Sequence, residues 1–459
     1  MTTPTQDIDE SAPRIAGKAE LVEWFEAGSK PKTDWRIGTE HEKFGFIKDG
    51  YGPVPYEGEA SIRAILEGLR DRFEWTPIEE GGFLIGLKKG GASVSLEPGG
   101  QFELSGAPLE HIHQTCNEVG AHLREVREIA DPLGIGFLGL GASPIWSMDE
   151  TPIMPKGRYK IMRAYMDKVG RLGRQMMFRT CTVQSNLDFG SEADMVKKFR
   201  VSLALQPLGT ALFANSPFID GRPNGFLSYR SQIWTDTDPD RTGMLPFVFE
   251  DGFGFERYVD YALDVPMYFV RRGGEYLDAS GLSFRDFMAG KLPILPGELP
   301  AIEDFEDHIS TIFPEVRLKR FLEMRGSDSG PWGLLCSFSA FWTGILYDDA
   351  ALEAAWALVR DWSMAEREAL RQSVRTLGLS APIPGGRTLQ DLAKDVLSIS
   401  LSGLRARGKL STSGDDETGF LIELDEIVKS GVTPAERLLQ RYHGDWNGDL
   451  SRIFEEMAY

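Results

Sequence analysis

An acidic segment between apolar residues constrains this chain more than any other feature. Residues 38–46 read Gly-Thr-Glu-His-Glu-Lys-Phe-Gly-Phe, and apolar side chains at positions 35, 37, 44 and 46 follow the intervals of a β-strand. On a strand Glu40 and Glu42 project from the same face, with Cα atoms ~6.6 Å apart. This spacing suits a metal site, although a solvated edge strand could carry the same pair.

Two further acidic segments could complete a cluster with this strand. In the segment 94–104 a Pro-Gly-Gly turn signal separates Glu97 from Glu103, and in a third segment Glu323 lies two residues before Arg325. If the segments converge, carboxylates ~7 Å apart repel by ~2.4 kcal/mol at an effective dielectric of ~20, so the cluster needs cations. Hard divalent ions with oxygen ligands, Mg²⁺ or Mn²⁺, fit this requirement.

The composition excludes several classes of partner and location. The 459 residues are 42% hydrophobic with a formal net charge of −19, which argues against nucleic acid or an anionic membrane surface as a partner. No apolar run reaches the ~18 residues of a membrane span, and the start lacks the basic-then-apolar order of a signal peptide. Three cysteines in so long a chain indicate a reducing compartment, so the predicted location is the cytoplasm.

The periodicity of apolar residues predicts a mixed chain. Residues 1–14 are predicted to be a flexible tail, and the remaining length could hold two or three domains or one large α+β domain with insertions, with 346–459 mainly helical. Helices are expected at 18–27, 60–73, 109–133, 158–174, 191–213, 352–377, 389–405 and 434–442, and strands at 83–87, 93–96, 135–140 and 178–189.

Three polar segments are candidates for ligand contacts. The stretch 158–174 is rich in Arg and Lys and could form a phosphate-binding wall or a solvated helix face. On the predicted strand 178–189, Gln184 and Asn186 share a face. They could contact a ligand, or they could be exposed residues of a surface strand. The long segment 228–241 carries Arg230 and Arg241, and arginine can hold a carboxylate or phosphate with two hydrogen bonds. Both arginines could equally pair with neighbouring aspartates.

Several common catalytic motifs are missing from the sequence. We find no glycine-rich phosphate-binding motif of the Walker or dinucleotide type, no Cys-x-x-Cys pair and no serine-nucleophile motif.

Six motifs together resemble one family, the glutamate-cysteine ligases of the plant and proteobacterial type. The likeness runs from about Lys18 to the end of the chain. The motifs are long and unusual: 38–46 (GTEHEKFGF), 95–105 (SLEPGGQFELS), 213–218 (FANSPF), 233–238 (IWTDTD), 240–246 (DRTGMLP) and 313–320 (FPEVRLKR) continuing to Pro331-Trp332.

This resemblance implies an ATP- and Mg²⁺-dependent ligase that joins the γ-carboxylate of L-glutamate to the amine of L-cysteine through γ-glutamyl phosphate, the first step of glutathione synthesis. It implies an α+β fold in which a curved, mainly antiparallel sheet of the glutamine-synthetase type is flanked by helices, with a helical C-terminal region. Residues 15–459 would then be one catalytic domain. Phosphoryl transfer relies on positioning and charge neutralisation, which agrees with a site that lacks a nucleophile.

The resemblance also implies roles for individual residues. The metal ligands would be Glu40, Glu42, Glu97, Glu103 and Glu323. Arg325 and Arg241 are the catalytic candidates, and Arg230, Trp234, Gln184 and Asn186 are the candidate substrate contacts.

Cys116 and Cys336 match positions at which the family carries a disulfide linked to redox control. The two positions of the additional cysteine pair of plant enzymes are Ala279 and Ile294 here, so a second bridge of that kind is not expected. The alternative for Cys116 and Cys336 is a pair of buried free thiols.

Two other functions remain open at this point. One is an ATP-dependent carboxylate-amine ligase that uses another amine, and the other is a non-catalytic protein that binds divalent cations. The expected partners are small-molecule substrates, and neither nucleic acid nor a membrane is expected to bind. The expected oligomeric state is a monomer or a homodimer.

Overall fold

The computed structural model describes residues 12–459, and its centre is the predicted acidic strand. Most of the predicted tail, 1–14, lies outside the described residues. The strands are β1 Ile37–Ile47, β2 Thr76–Glu80, β3 Phe83–Lys89, β4 Ala92–Leu96, β5 Phe102–Ser105, β6 Ile135–Leu138, β7 Thr182–Leu187, β8 Phe218–Ile219, β9 Arg222–Pro223, β10 Thr242–Gly243, β11 Phe269–Arg272, β12 Glu275–Asp278, β13 Phe313–Pro314, β14 Val316–Leu318, β15 Leu322–Asp328, β16 Pro382–Ile383 and β17 Arg387–Thr388.

Helices surround the strands. They are α1 Lys18–Glu26, α2 Ile62–Phe73, α3 Ile112–Ala130, α4 Gly157–Val169, α5 Gly173–Arg179, α6 Glu192–Leu212, α7 Tyr229–Trp234, α8 Phe255–Asp264, α9 Phe284–Met288, α10 Ile302–Ser310, α11 Trp332–Leu346, α12 Asp349–Val359, α13 Met364–Leu377, α14 Leu389–Arg407, α15 Ile422–Ser430, α16 Pro434–His443 and α17 Arg452–Glu456.

Among the described residues, nine strands form one antiparallel sheet in the order β14-β15-β7-β1-β5-β4-β3-β2, with β6 also paired to β1. Strand β1 therefore lies between segments that are far apart in sequence. Its residue Glu42 is opposite Glu103 of β5, and Glu40 is opposite Gln184 of β7. The predicted α+β class, with an antiparallel sheet flanked by helices and a helical C-terminal region, is confirmed.

One face of β1 packs on helices and the other faces a cavity. Thr39 Oγ1 lies 2.6 Å from Ser339 Oγ of α11, and Lys43 Nζ lies 2.8 Å from His122 Nε2 of α3. Helix α11 is apolar on nearly all sides and is buried, as expected for a helix without a polar face. The alternation of a strand then directs Glu40 and Glu42 to the opposite face.

Four predicted elements differ from the structure. The predicted helix 158–174 is two helices that separate at Gly170, and the predicted strand 178–189 begins only at Thr182. The predicted helix 352–377 is also two helices, because Ser363 and Glu366 form a capping box that starts α13. The segment 228–241, predicted to be a loop, contains the short helix α7. Over residues 12–459, no helix combines the length and apolarity that a bilayer crossing requires.

Candidate active site

The carboxylates predicted from three segments meet at one side of the sheet and divide into two groups. Glu40, Glu42, Glu97 and Glu103 line a single cavity. Glu323 lies on β15, opposite Asn186 of β7, and is fully buried beside that cavity. The convergence that the sequence predicted is therefore present.

In the first group, Glu42, Glu97 and Glu103, burial and repulsion between the carboxylates outweigh the nearby cations at Glu42 and Glu97. Burial, followed by repulsion from Glu97 and Glu103, holds the pKa of Glu42 well above its ordinary value. Burial and then Glu103 raise the pKa of Glu97 to about 7. Buried carboxylates that repel one another fit a divalent cation, whose charge would favour the ionised forms of Glu42 and Glu97.

Hydrogen bonds hold this group in place. Glu103 accepts hydrogen bonds from the hydroxyls of Ser95 and Ser105, at 2.9 and 2.7 Å. Glu42 accepts one from the backbone N–H of Thr182 at 2.9 Å. Within residues 12–459, however, no three His, Cys, Asp or Glu side chains are close enough as they stand to hold one metal ion.

The second group is already matched by cations and amides. Glu323 pairs with Arg317, with Lys319 at 2.8 Å and with Arg325 at 3.5 Å. Although burial acts to raise the pKa of Glu323, Arg317 and Lys319 hold it well below its ordinary value. Glu40 accepts a hydrogen bond from the side-chain amide of Asn186 at 2.7 Å.

Arginines form the wall that faces the carboxylates. Arg230, on α7, donates from Nη2 to the carbonyl of Arg325 at 3.0 Å, and Arg325 donates from Nη1 to Oε1 of Gln184 at 2.5 Å. Arg158 and Trp234 line the same cavity. Arg230 is 3% exposed, and its guanidinium carbon lies 5.6 Å from the Trp234 ring centroid. The cavity thus places fixed guanidinium groups opposite a cluster of carboxylates.

Three predicted residues of the site do not line this cavity: Glu323, described above, Arg241 and Asn186. Arg241 is fully buried, pairs with Asp238 at 2.5 Å and stacks on the Tyr268 ring at 3.8 Å. Its Nη1 donates to the carbonyl of Thr311, a cavity residue, at 3.1 Å. The guanidinium of Arg241 is thus occupied by protein groups, as in the alternative that it pairs with a neighbouring aspartate, and its catalytic role stays a prediction. Asn186 likewise reaches the cavity only through Glu40.

Comparison with known families agrees with this geometry. Residues 36–456 match the model of glutamate-cysteine ligase family 2 (GCS2). The chain belongs to this family. The match includes every segment that contributes to the cavity, and the family and enzyme class predicted from the sequence motifs are confirmed.

Curated relatives support the assignment of this ligase over nearly its whole length. The chloroplastic glutamate-cysteine ligase of Medicago truncatula is 57% identical over 456 residues, 99% of this chain and 88% of the relative. The corresponding protein of Arabidopsis thaliana is 58% identical over 442 residues, 96% of this chain and 83% of the relative. A crystal structure of the glutamate-cysteine ligase of Francisella tularensis in complex with AMP is similar in fold, with a TM-score of 0.55 and 11% identity over 91% of this chain and 86% of that one.

The predicted cytoplasmic location of the ligase is wrong by this comparison, because these plant relatives are named as chloroplastic enzymes. The prediction used the low cysteine count as a sign of free thiols. In the structure Cys116 of α3 and Cys336 of α11 form a disulfide, and Cys181 is a buried free thiol. The low number of cysteines therefore did not mean that they were unpaired, and it was a poor guide to the compartment.

Sequence reasoning missed several residues of the ligase cavity. Arg158 was noted only as part of a basic stretch, and Arg317, Tyr159 and Thr182 were not singled out, although all four line the cavity. Arg317 lies within the motif at 313–320, so its position in that motif was an available signal. The other basic side chains after Arg158 point elsewhere, as Arg171 does in pairing with Asp236 at 2.6 Å.

Proposed function

We propose that this protein joins the γ-carboxylate of L-glutamate to the amine of L-cysteine, with ATP as co-substrate and γ-glutamyl phosphate as intermediate. The observation that carries the proposal is the single cavity in which Glu42, Glu97 and Glu103 face Arg158, Arg230 and Arg325. The names of the relatives and the AMP complex of the structural neighbour support the substrates and the nucleotide.

The carboxylate cluster is the proposed binding site for Mg²⁺ or Mn²⁺. Glu42, Glu97 and Glu103 would hold it, because burial and repulsion at Glu42 and Glu97 outweigh the attraction of the nearby cations. The ion would supply charge neutralisation at the phosphate oxygens of ATP. Glu40 is a further proposed ligand, because it lies on the same face of β1 as Glu42. Glu323 is proposed to act mainly as the counter-ion of Arg317 and Lys319.

The arginines are proposed to hold the transferred phosphoryl group and the substrate carboxylates. Arg325 is fixed by Gln184 and Glu323, and Arg230 by the carbonyl of Arg325, so both guanidinium groups are positioned before substrate binds. Guanidinium groups recognise phosphate and carboxylate through paired hydrogen bonds. Preorganised donors of this kind stabilise charge that develops in the transition state.

The residues of the cavity account for a reaction without a covalent protein intermediate. Its described lining contains no cysteine, histidine or lysine. A carboxylate does not condense with an amine in water, so the γ-carboxylate must first become an acyl phosphate. Holding the acyl phosphate and the amine together can supply ~7–11 kcal/mol of the second barrier. Trp234, Gln184 and Tyr159 are placed to shape the substrate pocket.

Residues that contact the cavity lining from behind are proposed to position the lining residues. Asn186 orients Glu40, and Arg241 fixes the carbonyl of Thr311. We further propose that residues 15–459 act as one catalytic unit, supported by strands of one sheet that come from segments between residues 37 and 328. The monomeric or homodimeric state stays a prediction.

The direct test is ADP release with glutamate and a panel of amine acceptors. We expect turnover with cysteine to exceed turnover with alanine, serine or 2-aminobutyrate when ATP and Mg²⁺ are saturating. Faster turnover with another amine would favour the alternative ligase reading. Cation binding without any ADP release would favour the non-catalytic alternative. That alternative gives the buried arginines of the cavity no role.

A further inference from the structure

A second cavity of about 300 Å³ lies outside the active site, where β1 begins and α11 and α14 end. Its lining shares no residue with the carboxylate cavity. Four of its side chains are cationic, Lys32, Arg36, Arg407 and Lys409, and two are anionic, Glu110 and Asp348. Two of the cations pair with carboxylates outside the lining, Arg407 with Glu417 and Lys32 with Asp349, so Arg36 and Lys409 carry the charge that these pairs do not balance.

The floor of this cavity is fixed by a buried ion pair. The Arg407 side chain is 10% exposed and donates from Nε to Glu417 at 3.0 Å. Glu417 is fully buried and also accepts the backbone N–H of Ile112, the first residue of α3, at 2.8 Å. Because the carboxylate of Glu417 is held from two sides, the guanidinium of Arg407 is held in place as well.

The lining contains a second guanidinium that is also restrained. Arg36 donates from Nη1 to the carbonyls of Thr33 and Trp35, at 3.3 and 3.0 Å, and its Nη2 lies 3.9 Å from Oε1 of Glu110. A guanidinium has five N–H donors, so these contacts leave donors for a ligand. Lys32 and Lys409 add charge at the exposed rim.

We propose that this cavity binds a tetrahedral oxyanion of the phosphate or sulfate class between Arg36 and Arg407. Two restrained guanidinium groups that line one cavity and both lie near Glu110 suit an anion that accepts hydrogen bonds on several oxygens. A preorganised pair also loses little side-chain entropy when the anion binds. The site is separate from the proposed ligase reaction and does not depend on it.

The test is calorimetric titration of the full chain with inorganic phosphate and, separately, with sodium sulfate. ADP and Mg²⁺ are present to fill the active-site cavity, and sodium chloride keeps the ionic strength constant. We expect the variant Arg36→Gln with Lys409→Gln to bind both anions at least tenfold more weakly, because it removes two cations from the cavity. Glu110→Gln removes a repelling carboxylate, and we expect it to bind about threefold more tightly.

A charge-matched control is available on the surface of α14 and β17. Arg387→Gln with Lys394→Gln removes the same charge from exposed ion pairs, and its anion affinity should equal that of the parent. Tighter binding of phosphate than of sulfate would assign the site to phosphate, and the reverse order would assign it to sulfate. Either order supports the proposal.

The proposal is overturned if the dissociation constant is above about 10 mM for both anions. It is also overturned if the double variant, Arg36→Gln with Lys409→Gln, binds the anions as tightly as the parent does. Since Glu110→Gln is predicted to tighten binding, misfolding cannot mimic its expected result.

Discussion

At the scale of single residues, Glu97 offers a test that separates metal binding from folding. Its pKa is raised to about 7 in the folded chain, above the ordinary 4.5, so the folded state binds more protons than the unfolded state between these values. In metal-free protein this contribution therefore lowers stability as the pH rises from about 4.5 to 7. Mg²⁺ should remove much of that loss, because it favours the ionised carboxylate.

We expect Glu97→Gln to flatten this pH dependence in metal-free thermal melts, to weaken stabilisation by Mg²⁺ and to lower kcat at least a hundredfold. Glu118→Gln is the matched control, since burial raises the pKa of Glu118 to about 7 as well, but that residue does not line the cavity. The control should keep the Mg²⁺ response and the activity. An unchanged Mg²⁺ response in Glu97→Gln would remove this residue from the metal site.

Glu323 is a predicted metal ligand that the structure places in a cluster of cations. It is fully buried against Arg317, Lys319 and Arg325, and removal of one partner from a buried charge cluster costs about 3–5 kcal/mol. We expect Glu323→Gln to lower the free energy of unfolding by about 3 kcal/mol, with a smaller effect on Mg²⁺ affinity than Glu97→Gln. Urea unfolding and Mg²⁺ titration of both variants make the comparison. A larger loss of Mg²⁺ affinity in Glu323→Gln would restore it as a principal ligand.

At the scale of elements, helix α7 places Arg230 and depends on one serine. Ser228 Oγ accepts the N–H of Ser231 at 3.2 Å as the N-cap, and donates to the buried Asp328 at 2.8 Å. We expect Ser228→Ala to lose about 1 kcal/mol for the cap, and to lower kcat/KM at least tenfold because Arg230 shifts.

The control for this prediction is Ser363→Ala, which removes the cap of α13 at an exposed site. It should lose about 1 kcal/mol for the cap, without the further loss that Ser228→Ala has at the buried Asp328, and leave kcat/KM unchanged. If both variants keep the parent's kcat/KM, the position of Arg230 does not depend on the cap.

The elements also show what the sequence could and could not predict. Strand β1 was predictable because apolar residues alternate around its two carboxylates, and the cavity depends on that local pattern. The break between α4 and α5 was not predictable, because it depends on a contact between segments that are distant in sequence. A Cβ atom at Gly170 would lie 2.1 Å from the carbonyl oxygen of Thr237. The Arg241–Asp238 pair is a local contact, but its burial under Tyr268 is a tertiary feature. Residue roles that depend on such packing need the structure.

At the scale of the whole molecule, the disulfide joins two helices on the face of the sheet opposite the cavity. Cys116 and Cys336 are 220 residues apart in sequence, and α11 also contacts β1 through Ser339 and Thr39, next to Glu40. A crosslink that closes so long a loop restricts the unfolded chain, and such bridges typically contribute about 2–4 kcal/mol. The bond therefore connects the stability of the helical layer to the strand that carries the carboxylates.

We expect Cys116→Ser to lower the free energy of unfolding by about 2–4 kcal/mol under non-reducing conditions and to make stability insensitive to reductant. Cys181→Ser, at the buried free thiol, should keep the parent's response to reductant because the bridge remains. Denaturant unfolding with and without dithiothreitol measures the effect, and ADP release under the same conditions tests whether it reaches the active site. If reductant changes the activity of the parent and of Cys181→Ser but not of Cys116→Ser, the bridge controls the enzyme through the contact between α11 and β1. Equal activity of all three in both conditions limits the disulfide to a structural role.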